Sequence, residues 1–178
     1  MIFMPQIQNK TKLLAHMALF VALEIILSRF FSINTEIIRI GFGWLPIVVI
    51  ATLYGPVIAG TTWAISDVVG FFLFGGGLGP YFPGFTLTNF VGGLILGLFL
   101  YKRPVTVIKI TLAVLLLSIL SLGLNSVWLN ILFGRGFWVV FTSRIIQTAI
   151  LAPLQLILIW IIAAEKSPTS ETLRRLAV

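Results

Sequence analysis

The chain contains no cysteine. Disulfide bonds, thiolate metal sites and thiol nucleophiles are therefore excluded. It also lacks the pattern G-x-x-x-x-G-K-[ST], so the glycine runs GFGWLP and GGGLGP do not form phosphate-binding loops. No cluster of metal-ligand residues occurs, and no nucleophile has a histidine partner in a recognisable pattern. We therefore expect neither an enzyme nor a cofactor, and any transport must draw its energy from a gradient or from other subunits.

Charged residues are scarce as well. Only 10% of the 178 residues are Asp, Glu, Lys or Arg, whereas soluble domains usually carry about 25%. Hydrophobic residues make up 59% of the chain, so most of its outer surface must face lipid. The formal charge of +7 is typical of membrane proteins whose cytoplasmic loops collect Lys and Arg, and we do not expect a nucleic-acid partner.

Apolar runs predict six transmembrane helices in one bundle, because a spanning helix needs about 20 mostly apolar residues. These runs cover residues 12–33, 40–54, 57–74, 85–100, 107–133 and 137–164. The fold class is then an all-α integral membrane protein, with residues 1–178 forming a single domain and short cytoplasmic tails at 1–11 and 165–178. The segment GGGLGPYFPG (75–84) is too rich in Gly and Pro to be helical and is expected to be a loop.

The positions of the basic residues predict the orientation. With a cytoplasmic N-terminus, the cytoplasmic side carries Lys10, Lys12, Lys102, Arg103, Lys109, Lys166, Arg174 and Arg175. Only Arg29, Arg39, Arg135 and Arg144 fall in or near the outer half. This inside-positive asymmetry predicts that both termini are cytoplasmic. It also brings residues 34–39, 75–84 and 133–136 together at the outer face.

Asp67 is the most informative polar residue, because a charge near mid-bilayer costs about 2.5–3.5 kcal/mol and is a functional hypothesis by default. Trp63 and Phe71 lie one helical turn to either side, with Gly60 and Gly70 on much the same face. A carboxylate between aromatic rings suits a flat ring that carries adjacent N–H donors. The alternative is an Asp67 that pairs with Arg29 or Arg144 only to hold the bundle together.

Arg29 and Arg144 are open to two interpretations of equal weight. Each lies toward the outer end of its helix, where arginine often extends to the lipid headgroups. If both instead face inward beside Asp67, they form an anion site suited to carboxylates. Glu24, in the first span, is a further charged residue that needs an explanation.

Two other groups of residues are ligand candidates. The fifth span carries Ser121, Asn125 and Trp128 on one face, which fits either hydrogen bonding between helices or ligand contact. In the outer loop, Tyr81, Phe82 and Phe85 flank Gly and Pro. They fit either an interfacial aromatic belt or a lid over an outward-facing pocket.

A stripe of small residues lies on the first span. Ala18 and Ala22 form a small-xxx-small pattern, with Ala15 close to the same face. Such patterns permit close helix approach, but they also arise often by chance.

Taken in order, these residues resemble the substrate-binding S-components of energy-coupling factor (ECF) vitamin transporters, folate branch. The segments that carry the resemblance are ALFVALEIILSRFFSI (18–33), IRIGFGWLPIVVIATLYGP (38–56), SDVVGFFLFGGGLGPYFPGFTLTNFVGGLILGLFLY (66–101) and LGLNSVWLNILFG (122–134). The stretch GPYFPGFTL is the most specific to this branch, whereas the Ala-xxx-Ala pattern is shared by many S-components.

The resemblance implies a six-helix protein in the cell membrane, usually of a Gram-positive bacterium, that binds folate or a related pterin from outside. Its implied partners are a transmembrane coupling subunit and two cytoplasmic ATPases. Asp67 would then face the amino and N–H edge of the pterin. Arg29 and Arg144 would serve polar or carboxylate groups, with Asn125 as a further contact, and the stacking candidates are Trp63, Phe71, Tyr81 and Trp128. The face with Ala15, Ala18 and Ala22 would contact the coupling subunit.

This assignment contains one geometric conflict. Arg29 follows Ala22 by seven residues, so both lie on nearly the same helical face, although about 10 Å apart along the helix. A ligand contact at one and a protein contact at the other require a separation in depth or a kink. The rival hypotheses are an S-component for another flat vitamin such as riboflavin, a self-sufficient facilitator, and a scaffold without a ligand.

Overall fold

The computed structural model describes residues 10–34, 39–75, 80–102, 106–134 and 137–163. Over these residues the chain forms six helices and two short strands. In chain order they are α1 (Lys10–Arg29), β1 (Ser32–Asn34), β2 (Arg39–Gly41), α2 (Trp44–Tyr54), α3 (Pro56–Phe74), α4 (Pro83–Leu100), α5 (Val107–Phe133) and α6 (Phe137–Ala163). The predicted six-helix, all-α membrane fold is confirmed. The basic residues Arg103, Arg135, Lys166, Arg174 and Arg175, and almost all of both predicted tails, lie outside the described residues.

Five of the six helices are long and apolar enough to cross a membrane. The exception is α2, whose 11 residues extend about 16 Å at 1.5 Å per residue. This is roughly half of a hydrocarbon layer about 30 Å thick. The second predicted run, 40–54, is therefore helical only from Trp44, and its first residues belong to β2 and the turn after it.

The two strands form a small antiparallel ladder, in which Ser32 pairs with Gly41 and Asn34 with Arg39. The hydrophobic pattern did not predict this ladder, because strands of three residues are too short to show a period of two. A Cβ at Gly41 would lie 2.7 Å from the Cβ of Ser32, so the close pairing requires glycine there. The ladder brings the chain from the end of α1 back into the bundle at α2.

The helices run in alternating directions. His16 of α1 hydrogen-bonds to Tyr54 at the end of α2, while Glu24 lies beside Gly43 at its beginning. Gly93 lies against Gly60 and Gly97 against Pro56, so α3 and α4 are also antiparallel. The six helices thus leave Lys10 and Ala163 at the same end of the bundle. That this end is cytoplasmic stays a prediction from the loop charges.

Glu24 is only 7% exposed and lies beside the beginning of α2. A Cβ at Gly43, the residue before this helix, would lie 2.8 Å from the Oε1 atom of Glu24. The unpaired N–H groups of a first helical turn favour a nearby carboxylate. This position explains why a charged residue is tolerated within α1.

An apolar cluster fills the end of the bundle near Lys10 and Ala163. Its fully buried members come from α2 to α6 and include Ile47, Val48, Ile50, Ala59, Leu96, Leu100, Ile110 and Ile159. Polar side chains gather nearer the other end, above this cluster. The core therefore closes the bundle below the region in which the candidate site lies.

Glycine permits the close contact between α3 and α4. A Cβ at Gly93 would lie 2.6 Å from the Cα of Gly60, and a Cβ at Gly97 would overlap Pro56. Real Cβ atoms essentially never come so near to backbone atoms, so the helices touch backbone to backbone. Small residues at such positions are what allow membrane helices to approach closely.

Replacing Gly93 with alanine should destabilise the protein, because the added methyl group forces α3 and α4 apart. Overpacking of this kind costs about 1–3 kcal/mol. The matched control is Gly123→Ala in α5, where no atom lies within 4 Å of the added Cβ. There the better helix propensity of alanine, about 1 kcal/mol, should leave stability unchanged or raised. Thermal unfolding midpoints in detergent measure both, and equal midpoints would contradict the close-contact argument.

Candidate functional site

A cavity of about 270 Å³ lies in the bundle at the end opposite to Lys10. All six helices contribute to its wall, together with Gly41 of β2 and the segment before α4. The lining residues are Ser28, Arg29, Gly41, Gly43, Trp44, Trp63, Asp67, Phe71, Pro80, Tyr81, Phe82, Phe85, Asn89, Ser121, Asn125, Leu132, Arg144, Gln147 and Leu151. We call this space the outer cavity.

The outer cavity brings together nearly all of the predicted ligand residues. Lining it are Arg29, Trp63, Asp67, Phe71, Tyr81, Asn125 and Arg144. The remaining candidate, Trp128, does not line it. Its indole Nε1 donates a hydrogen bond to Thr88 Oγ1 at 3.1 Å, and its ring packs 5.5 Å from that of Phe82. Trp128 therefore supports Phe82, which lines the cavity, from behind.

Asp67 is held by hydroxyl groups. Thr86 Oγ1 of α4 donates to Asp67 Oδ2 at 2.6 Å, and Thr86 Oγ1 in turn lies 2.9 Å from the hydroxyl of Tyr81. This chain of hydrogen bonds joins the segment before α4 to the carboxylate. It orients Asp67 while the carboxylate remains part of the cavity wall. Thr86 was not predicted as a site residue, although its spacing to Asn89 places two polar residues on one face of α4.

Arg29 reaches the cavity by passing beside Gly70 of α3. A Cβ at Gly70 would lie 3.6 Å from both Nε and Nη2 of Arg29. The side chain passes this glycine, and its Nη1 atom donates to the carbonyl of Gly75 at the end of α3, at 2.9 Å. A guanidinium at a helix C-terminus interacts favourably with the helix dipole. The Nε atom of Arg29 is buried and has no hydrogen-bond partner among the described residues.

The conflict between Arg29 and Ala22 is thereby resolved. Ala22 is exposed on the outside of α1, as are Ala18 and Ala15. Arg29 starts from a similar angular position, but about 10 Å further along the helix, and its long side chain turns across α3. Depth and side-chain reach, rather than a kink, separate the two positions.

Arg144 points into the bundle. It is only 7% exposed and lines the outer cavity, so it does not extend to the lipid headgroups. Its Nε atom finds no hydrogen-bond partner in the part of the chain that the structure describes. Burying a guanidinium in this way is costly unless another group compensates it. An anionic ligand in the cavity would supply that compensation.

Aromatic rings form one side of the cavity. The rings of Phe71 and Tyr81 meet edge to face at a centroid distance of 5.3 Å and an angle of 61°. Trp63 lies one turn below Asp67 and packs against Gly92, whose added Cβ would lie 2.8 Å from the indole ring. Flat ligands stack well on such surfaces, because ring pairs contribute about 0.5–1.5 kcal/mol beyond the area that they bury.

Several polar residues deeper in the cavity were not predicted. Trp44, Asn89 and Gln147 all line it. Trp44 was hidden in a run that was interpreted as the start of an apolar span. Gln147 follows Arg144 by three residues and so shares its face, a spacing from which it could have been found. Asn125, which was predicted, donates through Nδ2 to Ser121 Oγ at 3.3 Å.

Comparisons with known proteins match this chain to transporter components. Residues 12–163 match the family model described as "ECF transporter, substrate-specific component". The chain is 43% identical over 153 residues to "Folate transporter FolT" of Clostridium novyi (strain NT), a match that covers 85% of this chain and 88% of that one. It is 32% identical over 146 residues to "Folate transporter FolT" of Leuconostoc mesenteroides subsp. mesenteroides, covering 78% and 77%.

A solved structure is similar over nearly the same length. The structure described as "Crystal structure of FolT bound with folic acid" superposes with a TM-score of 0.81 and 35% sequence identity. The match covers 86% of this chain and 93% of that one. Since the family model spans most of the chain and two relatives exceed 30% identity, the resemblance noted from the sequence is confirmed. The chain belongs to the substrate-specific components of ECF transporters.

Proposed function

We propose that this chain binds folate in the outer cavity and delivers it across the cell membrane as the folate-specific component of an ECF transporter. One observation carries the proposal: the cavity places Asp67 and two arginines beside aromatic rings. Folate has the matching features, which are a flat pterin with adjacent N–H donors and a glutamate tail with two carboxylates. The folate transporters to which the chain is similar support the same ligand.

Each residue type in the cavity has a role in this proposal. Asp67 accepts hydrogen bonds from the amino and N–H edge of the pterin, and hydrogen bonds to a charged group contribute about 1.5–3 kcal/mol each. Trp63, Phe71 and Tyr81 offer stacking surfaces, and Asn125 offers an amide. Arg29 and Arg144 compensate the carboxylates, since a guanidinium forms paired hydrogen bonds with them. Trp128 acts by packing behind Phe82 rather than by touching the ligand.

Partner subunits supply the energy in this proposal. The chain has no phosphate-binding loop, so ATP hydrolysis belongs to two cytoplasmic ATPases that act through a transmembrane coupling subunit. The exposed face with Ala15, Ala18 and Ala22 is the proposed contact with that subunit. Small residues there permit close helix approach. The whole chain, 1–178, is then a single multi-pass domain in the membrane, expected in a Gram-positive bacterium.

Riboflavin or another flat vitamin is a weaker candidate for the ligand. Riboflavin carries no carboxylate, so it would supply no anionic group to the two guanidinium groups that line the cavity. A scaffold without a ligand leaves the polar cavity unexplained, and a facilitator that works alone does not fit the family to which the chain belongs. No specific feature of the described residues favours any of these alternatives.

The protein purified in mild detergent should carry a pterin that mass spectrometry identifies. After removal of that ligand, folic acid should quench the fluorescence of the five tryptophans in a saturable way, because two of them line the cavity. Riboflavin, added as a control, should produce no saturable quenching. A co-purifying flavin, or no response to folic acid, would contradict the proposed ligand.

A further inference from the structure

Thr86 connects two residues of the outer cavity, although it does not line the cavity itself. Its Oγ1 atom donates to Asp67 Oδ2 at 2.6 Å and lies 2.9 Å from the hydroxyl of Tyr81. Asp67 and Tyr81 both line the cavity, the first on α3 and the second just before α4. A ligand in the cavity can therefore touch the two ends of this hydrogen-bond chain but not its middle member.

The direction of the two hydrogen bonds follows from the number of protons. A carboxylate only accepts, and the hydroxyl of Thr86 has a single proton, which it donates to Asp67. Tyr81 must therefore donate to Thr86, because the proton of Thr86 is already engaged. Both hydroxyl protons are thus directed toward Asp67, and neither hydrogen bond can form without the hydroxyl of Thr86.

This direction gives the cavity wall a defined polarity. With both hydroxyl protons engaged, the lone pairs that remain on Asp67 and Tyr81 are acceptors. Hydrogen bonds in such a chain also polarise and strengthen one another. The chain therefore favours a ligand that presents N–H or O–H donors to this part of the wall.

Thr86 is held in place by the packing of α4 on α5. It lies in the first turn of α4, which begins at Pro83. A Cβ at Gly84 would lie 2.6 Å from the indole ring of Trp128, so the start of α4 is in close contact with α5. Trp128 Nε1 donates to Thr88 Oγ1 at 3.1 Å, and Thr88 Oγ1 donates to the carbonyl of Gly84 at 3.0 Å. A hydroxyl on a helix that is fixed in this way can orient the side chains that it contacts.

Tyr81 is held by its ring as well as by its hydroxyl. The ring lies against those of Phe71 and Phe72 on α3, at centroid distances of 5.3 and 5.6 Å. Loss of the hydroxyl of Thr86 would leave these ring contacts in place. It would remove the hydrogen bonds that tie Tyr81 and Asp67 to each other, and both side chains would gain freedom to rotate.

We propose that Thr86 is a positioning residue that holds Asp67 and Tyr81 as one unit and thereby retains the ligand in the outer cavity. It acts through these two residues and does not touch the ligand. Because both side chains are ordered before binding, less conformational entropy is lost when the ligand arrives. The inference rests on the proposed function and adds to it a residue that lies outside the cavity wall.

Thr86→Val tests the inference, because it removes the hydroxyl and keeps the shape of the side chain. Folic acid should bind about 10-fold more weakly, since two side chains must then be ordered on binding, and most of the loss should be a faster dissociation. Thr86→Ser keeps the hydroxyl and should bind within about threefold of the wild type. Stopped-flow measurements of tryptophan fluorescence give both rate constants.

Thr61→Val is the matched control. Thr61 is half-buried on α3, its hydroxyl donates to the backbone of its own helix, and it does not line the cavity. Its variant should bind folic acid within about twofold of the wild type. Thermal unfolding midpoints without ligand show that the variants fold, and Thr86→Ala replaces Thr86→Val if the latter does not.

Normal binding by a folded Thr86→Val, or equal losses in Thr86→Val and Thr86→Ser, would overturn the inference, because the hydroxyl would then have no role of its own. A wild type that does not bind folic acid would instead refute the proposed function.

A double-mutant cycle tests whether Tyr81 acts through Thr86. Tyr81→Phe removes only the hydroxyl and should weaken folic acid binding by about threefold. Added to Thr86→Val, it should cause a further loss of no more than about twofold, because its partner hydroxyl is already absent. If the two effects multiplied instead, to about 30-fold, the hydroxyl of Tyr81 would act independently of Thr86 and the inference would be wrong.

Discussion

Asp67→Asn should weaken folic acid binding at least ~100-fold, because it removes a charge that accepts hydrogen bonds worth about 1.5–3 kcal/mol each. The amide is nearly the same size as the carboxylate and can still accept from Thr86 Oγ1, which now donates at 2.6 Å. The amide nitrogen of the introduced asparagine would, however, carry N–H donors, which cannot accept hydrogen bonds from the N–H groups of the pterin. The fold should therefore persist while the affinity is lost. Tryptophan quenching or calorimetry with the purified protein measures the change.

Glu24→Gln is the matched control for this result. It makes the same carboxylate-to-amide change at another buried position, but Glu24 lies beside the start of α2 and does not line the outer cavity. We expect Glu24→Gln to lower the thermal midpoint and to leave the affinity within about twofold of the wild type. If Asp67→Asn instead bound folic acid normally, the carboxylate would have only a structural role. The proposed ligand contact would then be wrong.

The second large effect is expected on uptake. The double variant Ala18→Leu, Ala22→Leu places two bulky side chains on the exposed face of α1. If this face packs closely against the coupling subunit, overpacking costs about 1–3 kcal/mol at each of the two sites and together weakens the complex at least ~30-fold. Uptake of labelled folic acid by cells with the complete transporter should fall to background. Binding by the isolated chain should be unchanged, because Ala18 and Ala22 lie outside the cavity.

Ala149→Leu is the matched control, since it adds the same group to an exposed position on α6. Its uptake should match that of the wild type. Normal uptake by the double variant would place the coupling subunit on another surface. A parallel loss of binding in the isolated chain would show instead that the change acts through the fold.

The helices were predictable because their signal is local. A run of about 20 apolar residues forms a helix in lipid, because the helix satisfies the hydrogen bonds of every backbone group within the segment. The predicted ends of α3 through α6 accordingly differ from the observed ends by two residues or fewer. The beginning of α2 was predicted less well. There, β2 and the turn after it consist of apolar residues, which look like helix in a hydrophobic profile.

The candidate site was predictable in part. Asp67 and Arg144 could be predicted as site residues because a charged side chain within the membrane costs free energy whichever way it is oriented. The sequence did not show whether Arg144 turns inward, because both directions are open to a long side chain near a helix end. Trp44, Asn89 and Gln147 were missed for a related reason. A single Trp, Asn or Gln in a helix does not by itself indicate a site. Only the packing of neighbouring helices brings these residues around one cavity.

The sequence by itself determined that the chain is a membrane bundle, where its helices lie and which transporter family it resembles. The first two properties depend on contiguous apolar runs, whereas the resemblance depends on particular segments such as GPYFPGFTL (79–87). Only the tertiary structure decided that Arg29 passes Gly70 while Ala22 stays outside, that Trp128 packs behind Phe82, and that Trp44, Asn89 and Gln147 line one cavity. Each of these depends on the packing of side chains from different helices, and no local pattern records which faces will meet.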